Sequence, residues 1–309
     1  MRADAYHWGY LMIERQGSLA EGFPCELDWQ GCSGLLLDAV RLIKLSHSLD
    51  QWNQPWLFEP LYTAQRMPGL EDLSPRVQKI QSLQQPVLQQ FLANVEEEWG
   101  YLLFCDGSWP SMIAHLRWLT VVRMPHEQNV FLRLADPSVM HALFTLAVEA
   151  GDPTLFGPCH QILIADAAQG VWHLHQRPGP APTAQYDAHY LLSTQEASAL
   201  DVVSFRNVVL RLNQHLHHYF PAYQTHLSKA QRWAHVHALA TTAYDSGFSS
   251  ELEITLYANI HGYLGENALQ HHPDLQQHLT TVSPLTSAQR IEKVAEIARC
   301  RALHLREPA

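Results

Sequence analysis

Arg177-Pro178-Gly179-Pro180-Ala181-Pro182-Thr183 divides the sequence into two parts of different character. Alternating prolines hold a chain extended and remove backbone donors, so the stretch reads as a linker. Before it, short apolar runs bounded by turn residues alternate with helical periods. Beyond it, strand-like runs vanish and helical periods take over. The expected fold class is α+β: a mixed α/β N-terminal lobe with a central sheet over 1–176, a linker over 177–190, and an all-α C-terminal lobe over 191–309. No internal repeat is evident.

Upstream of the linker, Ile162-Leu163-Ile164-Ala165 and Val171-Trp172-His173-Leu174 flank a turn and read as a hairpin. Asp136-Pro137 opens a helix to about Ala150, with Asp as cap and Pro as first helical residue. Two strands, 120–124 and 129–134, flank Pro125-His126-Glu127-Gln128. Ser108 caps a helix that carries Met112, Ile113, Leu116 and Leu119. The runs 101–105 and 35–37 read as buried strands, and 55–62, bracketed by prolines, as an extended edge segment. Pro86 opens a helix to about Glu98, while 75–83 fits a strand or a helix equally. The first 33 residues yield no clear pattern. Downstream, helices are expected over 194–219, 228–245, 249–264, 274–282 and 286–303.

With 309 residues, 47% hydrophobic and 16% charged, the chain is long and apolar enough for a substantial core. Its net charge of -10 repels phosphate backbones and anionic lipid, so neither nucleic acid nor a membrane surface is the expected partner. No run of about 18 apolar residues suggests membrane insertion, and the first ten residues lack the apolar core of a signal peptide. Five scattered cysteines without a CxxC pair fit neither a disulfide framework nor a zinc knuckle. A cytoplasmic location is expected.

Motifs of catalysis are missing: there is no HExxH, GxSxG or GxxxxGK[ST], and the adjacent Cys159-His160 reads as structural, since a catalytic Cys–His pair is normally assembled from distant segments. His215 and His218 share a helical face, so a metal-dependent hydrolase built on a His cluster in the helical lobe is the alternative reading. It needs a third ligand, from His235 and His237 or His271 and His272. No cofactor is expected. The residues that stand out are polar groups at element ends: Asp38 after an apolar run, His115 and Arg117 inside an apolar helix, and Arg133 just before Asp136. A buried Arg needs a carboxylate, and either Asp38 or Asp136 would serve Arg133.

Phe131-Leu132-Arg133-Leu134-Ala135-Asp136-Pro137-Ser138-Val139, followed by an apolar helix, resembles the signature of the domain of unknown function numbered 4123. So do Leu35-Leu36-Leu37-Asp38, Pro60-Leu61-Tyr62, Leu73-Ser74-Pro75 and His115-Leu116-Arg117, in that family's order. Ala135 stands where the family carries an aromatic, and 73–77 lacks its Trp. The resemblance implies an adaptor or chaperone of the type VI secretion system. Such a protein binds a toxic effector in the cytoplasm and helps load it onto the spike protein, without catalysis. Trp52, Trp56, Trp109 and Trp118 are candidate interface anchors, since aromatics dominate such contacts. A structural component of the apparatus is a third reading, which would require a symmetric oligomer.

Overall fold

A strand that is apolar at every position needs cover on both faces, and the computed structural model supplies it. The structure describes residues 10–13, 19–20, 22–24, 27–29, 31–39, 58–281 and 284–304. Seven strands form an antiparallel sheet in the order β1 (Tyr10–Ile13), β9 (Val171–Gln176), β8 (Cys159–Asp166), β5 (Gly100–Cys105), β2 (Cys32–Leu37), β4 (Arg76–Ile80) and β3 (Phe58–Pro60). Side chains alternate along a strand, so Tyr101, Leu103 and Cys105 of β5 join one buried layer and Leu102 and Phe104 the other. The first layer is closed by helices α2 (Trp109–Leu119) and α3 (Pro137–Ala150), through Met112, Leu116, Met140 and Phe144. The second is closed by α1 (Pro86–Ala93), through Val87, Leu88 and Phe91, together with Leu19, Trp99 and Trp172. The Trp172 indole donates to the Leu19 carbonyl at 2.8 Å, which pins that early segment to the sheet.

Gly100 lies opposite Leu37 where β5 pairs with β2. A Cβ there would sit 1.8 Å from the Leu36 carbonyl oxygen, so the backbones approach too closely for any side chain.

A second, three-stranded sheet has the order β10 (Tyr190–Leu191), β6 (Val121–Arg123) and β7 (Asn129–Phe131). β10 runs parallel to β6, and β7 antiparallel to it. Tyr190, the last residue of the stretch read as linker, thus begins a strand. Arg133, read as a strand residue, lies beyond the end of β7. The ambiguous stretch 75–83 contains strand β4, held between β2 and β3. The helix begun at Pro86 stops at Ala93, not at Glu98. There the Asn94 side-chain amide donates to the Gln90 carbonyl at 2.9 Å, competing with the helical ladder. Glu98 then turns the chain into β5 with a φ of 52°. Trp52 and Trp56 lie outside the described residues.

The chain divides into two compact units, Met1–Val203 and Ser204–Ala309, and the division falls within helix α4 (Thr194–Tyr219). The second unit is helical: the rest of α4, then α5 (Lys229–Asp245), α6 (Glu251–Leu264), α7 (Ala268–His271), α8 (Pro273–Thr280) and α9 (Ser287–His304). Its core holds Leu212, Val236, Phe248, Ile254, Leu275 and Val294. Capping boxes start α5 at Ser228 with Gln231 and α6 at Ser250 with Glu253. The start of α6 is one residue later than Ser249, because the box needs three-residue spacing to its Glu.

Candidate protein-binding surface

Helix α2 holds four of the candidate residues, Trp109, His115, Arg117 and Trp118. Ser108 caps it by accepting from the Ser111 amide, and Pro110 sits in its first turn. His115 faces inward, fully buried, with Nε2 3.0 Å from the Leu155 carbonyl. A carbonyl only accepts, so that nitrogen carries the proton. Burial pulls the imidazole down to about 4, the carbonyl contact opposing it, and the ring is neutral at pH 7. It lies on Gly157, whose φ is +53° and whose Cβ, if present, would be 2.5 Å from the ring. His115 is therefore a structural plug between α2 and the turn before β8.

Arg117 faces the other way. Its Nη2 donates to Glu59 Oε1 at 2.6 Å and to the Pro60 carbonyl at 2.9 Å, tying α2 to edge strand β3. The residues after that strand are held in turn: the Leu61 amide donates to the Pro75 carbonyl at 3.0 Å and the Tyr62 amide to Ser74 Oγ at 2.8 Å. The two short motifs at 60–62 and 73–75 are thus hydrogen-bonded to each other. Asp38 follows β2, half-buried, its amide donating to the Trp99 carbonyl at 2.7 Å. The Tyr62 phenol is raised by burial and then by the Asp38 carboxylate, which places these two residues in one neighbourhood.

Trp118 is committed to the fold. Its indole donates to the Ala188 carbonyl at 2.6 Å, and its ring packs 5.4 Å from Tyr186 and edge-on to Tyr190. The Tyr190 hydroxyl donates to Glu196 at 2.7 Å; burial and that carboxylate push the phenol well up. Glu196 also closes a capping box with Ser193. Trp109 is half-buried against the same core.

Asp136 caps α3, accepting from the amides of Ser138 (3.0 Å) and Val139 (3.4 Å). Arg133 Nη2 lies 3.2 Å from its other oxygen, with 57% of the Arg side chain exposed against 1% of the Asp. Arg133 is thus a surface residue paired with Asp136, not a buried one, because the chain has left β7 two residues earlier. Asp136→Ala should cost about 1–2 kcal/mol in urea unfolding, and Arg133→Ala under about 1 kcal/mol. Equal losses would show that the ion pair, not the cap, matters.

The side chains left open are apolar and come mostly from residues that periodicity does not single out. Phe131 is 56% exposed and Leu191 61%. Tyr186 is exposed as well. The Phe131 ring lies 6.1 Å from that of Tyr62. Beside Leu191, a shallow depression is lined by Arg123, Glu127, Asn129, Ala188 and His189. The Leu132 amide donates to Thr120 and the Met124 amide to Gln128, so by antiparallel alternation the backbone groups of Asn129 and Phe131 point away from β6. One signal for this region was available: Ser193 three residues before Glu196 marks a helix start just after Tyr190 and Leu191.

In the second unit, the His215 Nε2 lies 2.8 Å from the Asn259 side-chain oxygen and is occupied by it, while the His218 ring packs edge-on against Tyr219. Among the described residues, no group of three or more His, Cys, Asp or Glu side chains could hold a metal ion. No described helix is long and apolar enough to cross a membrane.

Comparison with known proteins agrees with the motifs quoted above. The model of the family "Domain of unknown function (DUF4123)" matches residues 35–150. The accessory protein VasW of Vibrio cholerae serotype O1 is 26% identical over 279 residues, covering 88% of this chain and 90% of that one. No solved structure matches significantly. The matched span opens at Leu35 in β2 and closes at Ala150, the last residue of α3, so it takes in Asp38, the 60–62 and 73–75 pair, His115, Arg117, Arg133 and Asp136. Over residues 35–150 this chain is thus similar to the DUF4123 family.

Proposed function

We propose that this chain is a non-catalytic adaptor that binds a type VI secretion effector in the cytoplasm and assists its loading onto the spike protein. The observation that carries the reading is the family domain together with a likeness to an accessory protein that runs through both units. The arrangement of side chains supports it. The charged candidates hold elements together, in the pairs Arg117–Glu59 and Arg133–Asp136, and His115 is neutral and buried. Apolar side chains, meanwhile, stay open around the second sheet. A buried Phe or Leu contributes about 1.5–3 kcal/mol, so Phe131 and Leu191 are the contacts from which a client would gain most.

The experiment is co-expression with a type VI effector and a spike protein from the same genome. A stable complex with the effector is expected, and Phe131→Glu with Leu191→Glu should weaken it at least tenfold while leaving the melting temperature of the free protein within a few degrees. Failure to bind either protein, or turnover of a small substrate lost on one side-chain change, would reject the reading.

A further inference from the structure

The central strands bring together three cysteines that are scattered in sequence. Cys32 and Cys105 are register partners where β2 pairs with β5, and Cys105 and Cys159 where β5 pairs with β8. All three side chains join the layer closed by α2 and α3. They form a row across three neighbouring strands, with Cys105 in the middle. Cys105 and Cys159 are fully buried, while Cys32, at the start of β2, is partly exposed. The Cys105 thiol donates to the Met112 sulfur at 3.2 Å, in the first turn of α2. Cys300 lies in the second unit and Cys25 outside the described residues.

The local pairing favours a bond between the inner two. A register shift between Phe104 and Cys105 sets Cys105 opposite Cys159; an unshifted ladder would put His160 there. The Asp106 amide donates to the Pro158 carbonyl at 3.3 Å, while the Cys159 amide turns to the Phe156 carbonyl at 3.0 Å. By antiparallel alternation, Cys105 and Cys159 are a pair without ladder hydrogen bonds, whose Cα atoms stand about 4.5 Å apart. A disulfide spans about 4.4–6.8 Å between Cα atoms. A side-chain hydrogen bond with Cys159, then burial, push the Cys105 thiol well up, so it does not open an exchange reaction itself. Burial, then Cys105, raise Cys32 as well, but the Lys79 ammonium opposes them. Cys32 is thus the thiol of the row that a dissolved reagent meets first.

We propose that Cys105 and Cys159 close to a cross-strand disulfide, with Cys32 passing the oxidation inward from the disulfide of a small thiol. Cys32 attacks the small disulfide, which leaves a mixed disulfide and releases one small thiol. Cys105 then attacks the Cys32 sulfur, and its proton leaves with the second small thiol. Cys159 finally attacks Cys105 along the row, on the side opposite the departing Cys32, and its proton passes to Cys32. In sum, two protein S–H bonds break, one S–S bond forms, and the small disulfide takes up two electrons and two protons as two thiols. The raised Cys105 thiol makes the inward steps slow, on the order of hours. The product staples β5, within the span that matches the family model, to β8, beyond it. None of this depends on which partner the protein binds.

The test holds the full chain at pH 8 with oxidised glutathione and no denaturant, followed by alkylation and peptide mapping without reduction. A linked pair of peptides carrying Cys105 and Cys159 is expected. Cys32→Ser should slow its appearance at least tenfold, and Cys159→Ala should halt the row at a Cys32–Cys105 link. Should the buried Cys159→Ala variant fail to fold, the partly exposed Cys32→Ser decides alone. Glutathione held on Cys32 while Cys105 and Cys159 stay reduced, or an equal rate in Cys32→Ser, would overturn the proposal.

Discussion

Gly100→Ala should leave little folded protein. The new Cβ would sit 1.8 Å from the Leu36 carbonyl oxygen, and that oxygen belongs to backbone that cannot swing aside as a side-chain tip can. β5 and β2 would have to separate or slip by a residue, and a slip exchanges the two faces. Tyr101 and Leu103 would then change layers with Leu102 and Phe104, in a sheet covered on both sides. Overpacking of well-filled cores costs about 1–3 kcal/mol, occasionally more, and a backbone clash in a central strand belongs at or above the upper end. Soluble yield and urea unfolding decide: a loss under about 1 kcal/mol would show that the strands can part without losing their layers.

The second large effect is acid sensitivity from His115. Its folded value, about 4, lies below the ordinary 6.5. The unfolded chain therefore binds a proton that the folded one refuses. Stability is full above about pH 6.5 and is lost progressively as pH falls toward 4, by on the order of 3 kcal/mol. His175, His235 and His261 are also lowered, chiefly by burial, and add to the loss in the same window. The partnered carboxylates Asp106 and Glu253 are lowered too, by Arg177 and by serine hydroxyls and amides, so they release stability only at the acid end. The stretch from pH 6.5 to 4.5 therefore belongs to imidazoles. His115→Gln, measured by urea unfolding across that stretch, should flatten the slope even though it lowers stability at pH 7.5. An unchanged slope would mean that the ring protonates freely in place.

What could be read ahead of the structure was local. Asp136-Pro137 and Ser108 with Pro110 mark helix starts because cap and first turn lie within three residues of each other. The runs 35–37 and 101–105 are strands because turn residues bound apolar stretches too short for helices. Val77, Ile80 and Leu83 suit both periods, so only the neighbouring strands decide that segment. Arg133 and Asp136 could be paired from their spacing, whereas Arg117 finds Glu59 from 58 residues away and Trp118 finds Ala188 from 70. Phe131 gave no signal as a surface residue, because an apolar residue in a short strand reads as core until the layer that would cover it is found wanting, and Leu191 gave none because it follows a linker with no strand pattern.

The family span stops at Ala150, yet β5 is completed on one side by β8, and β8 by β9, both beyond that point. On the other side of the same sheet, β3, β4 and the second half of β2 lie within it. The stretch that matches the family model is therefore not the stretch that closes as one sheet. The hydrogen bonds that seal the sheet on that side are supplied by residues outside the matched span, from strands that are extended and mostly buried.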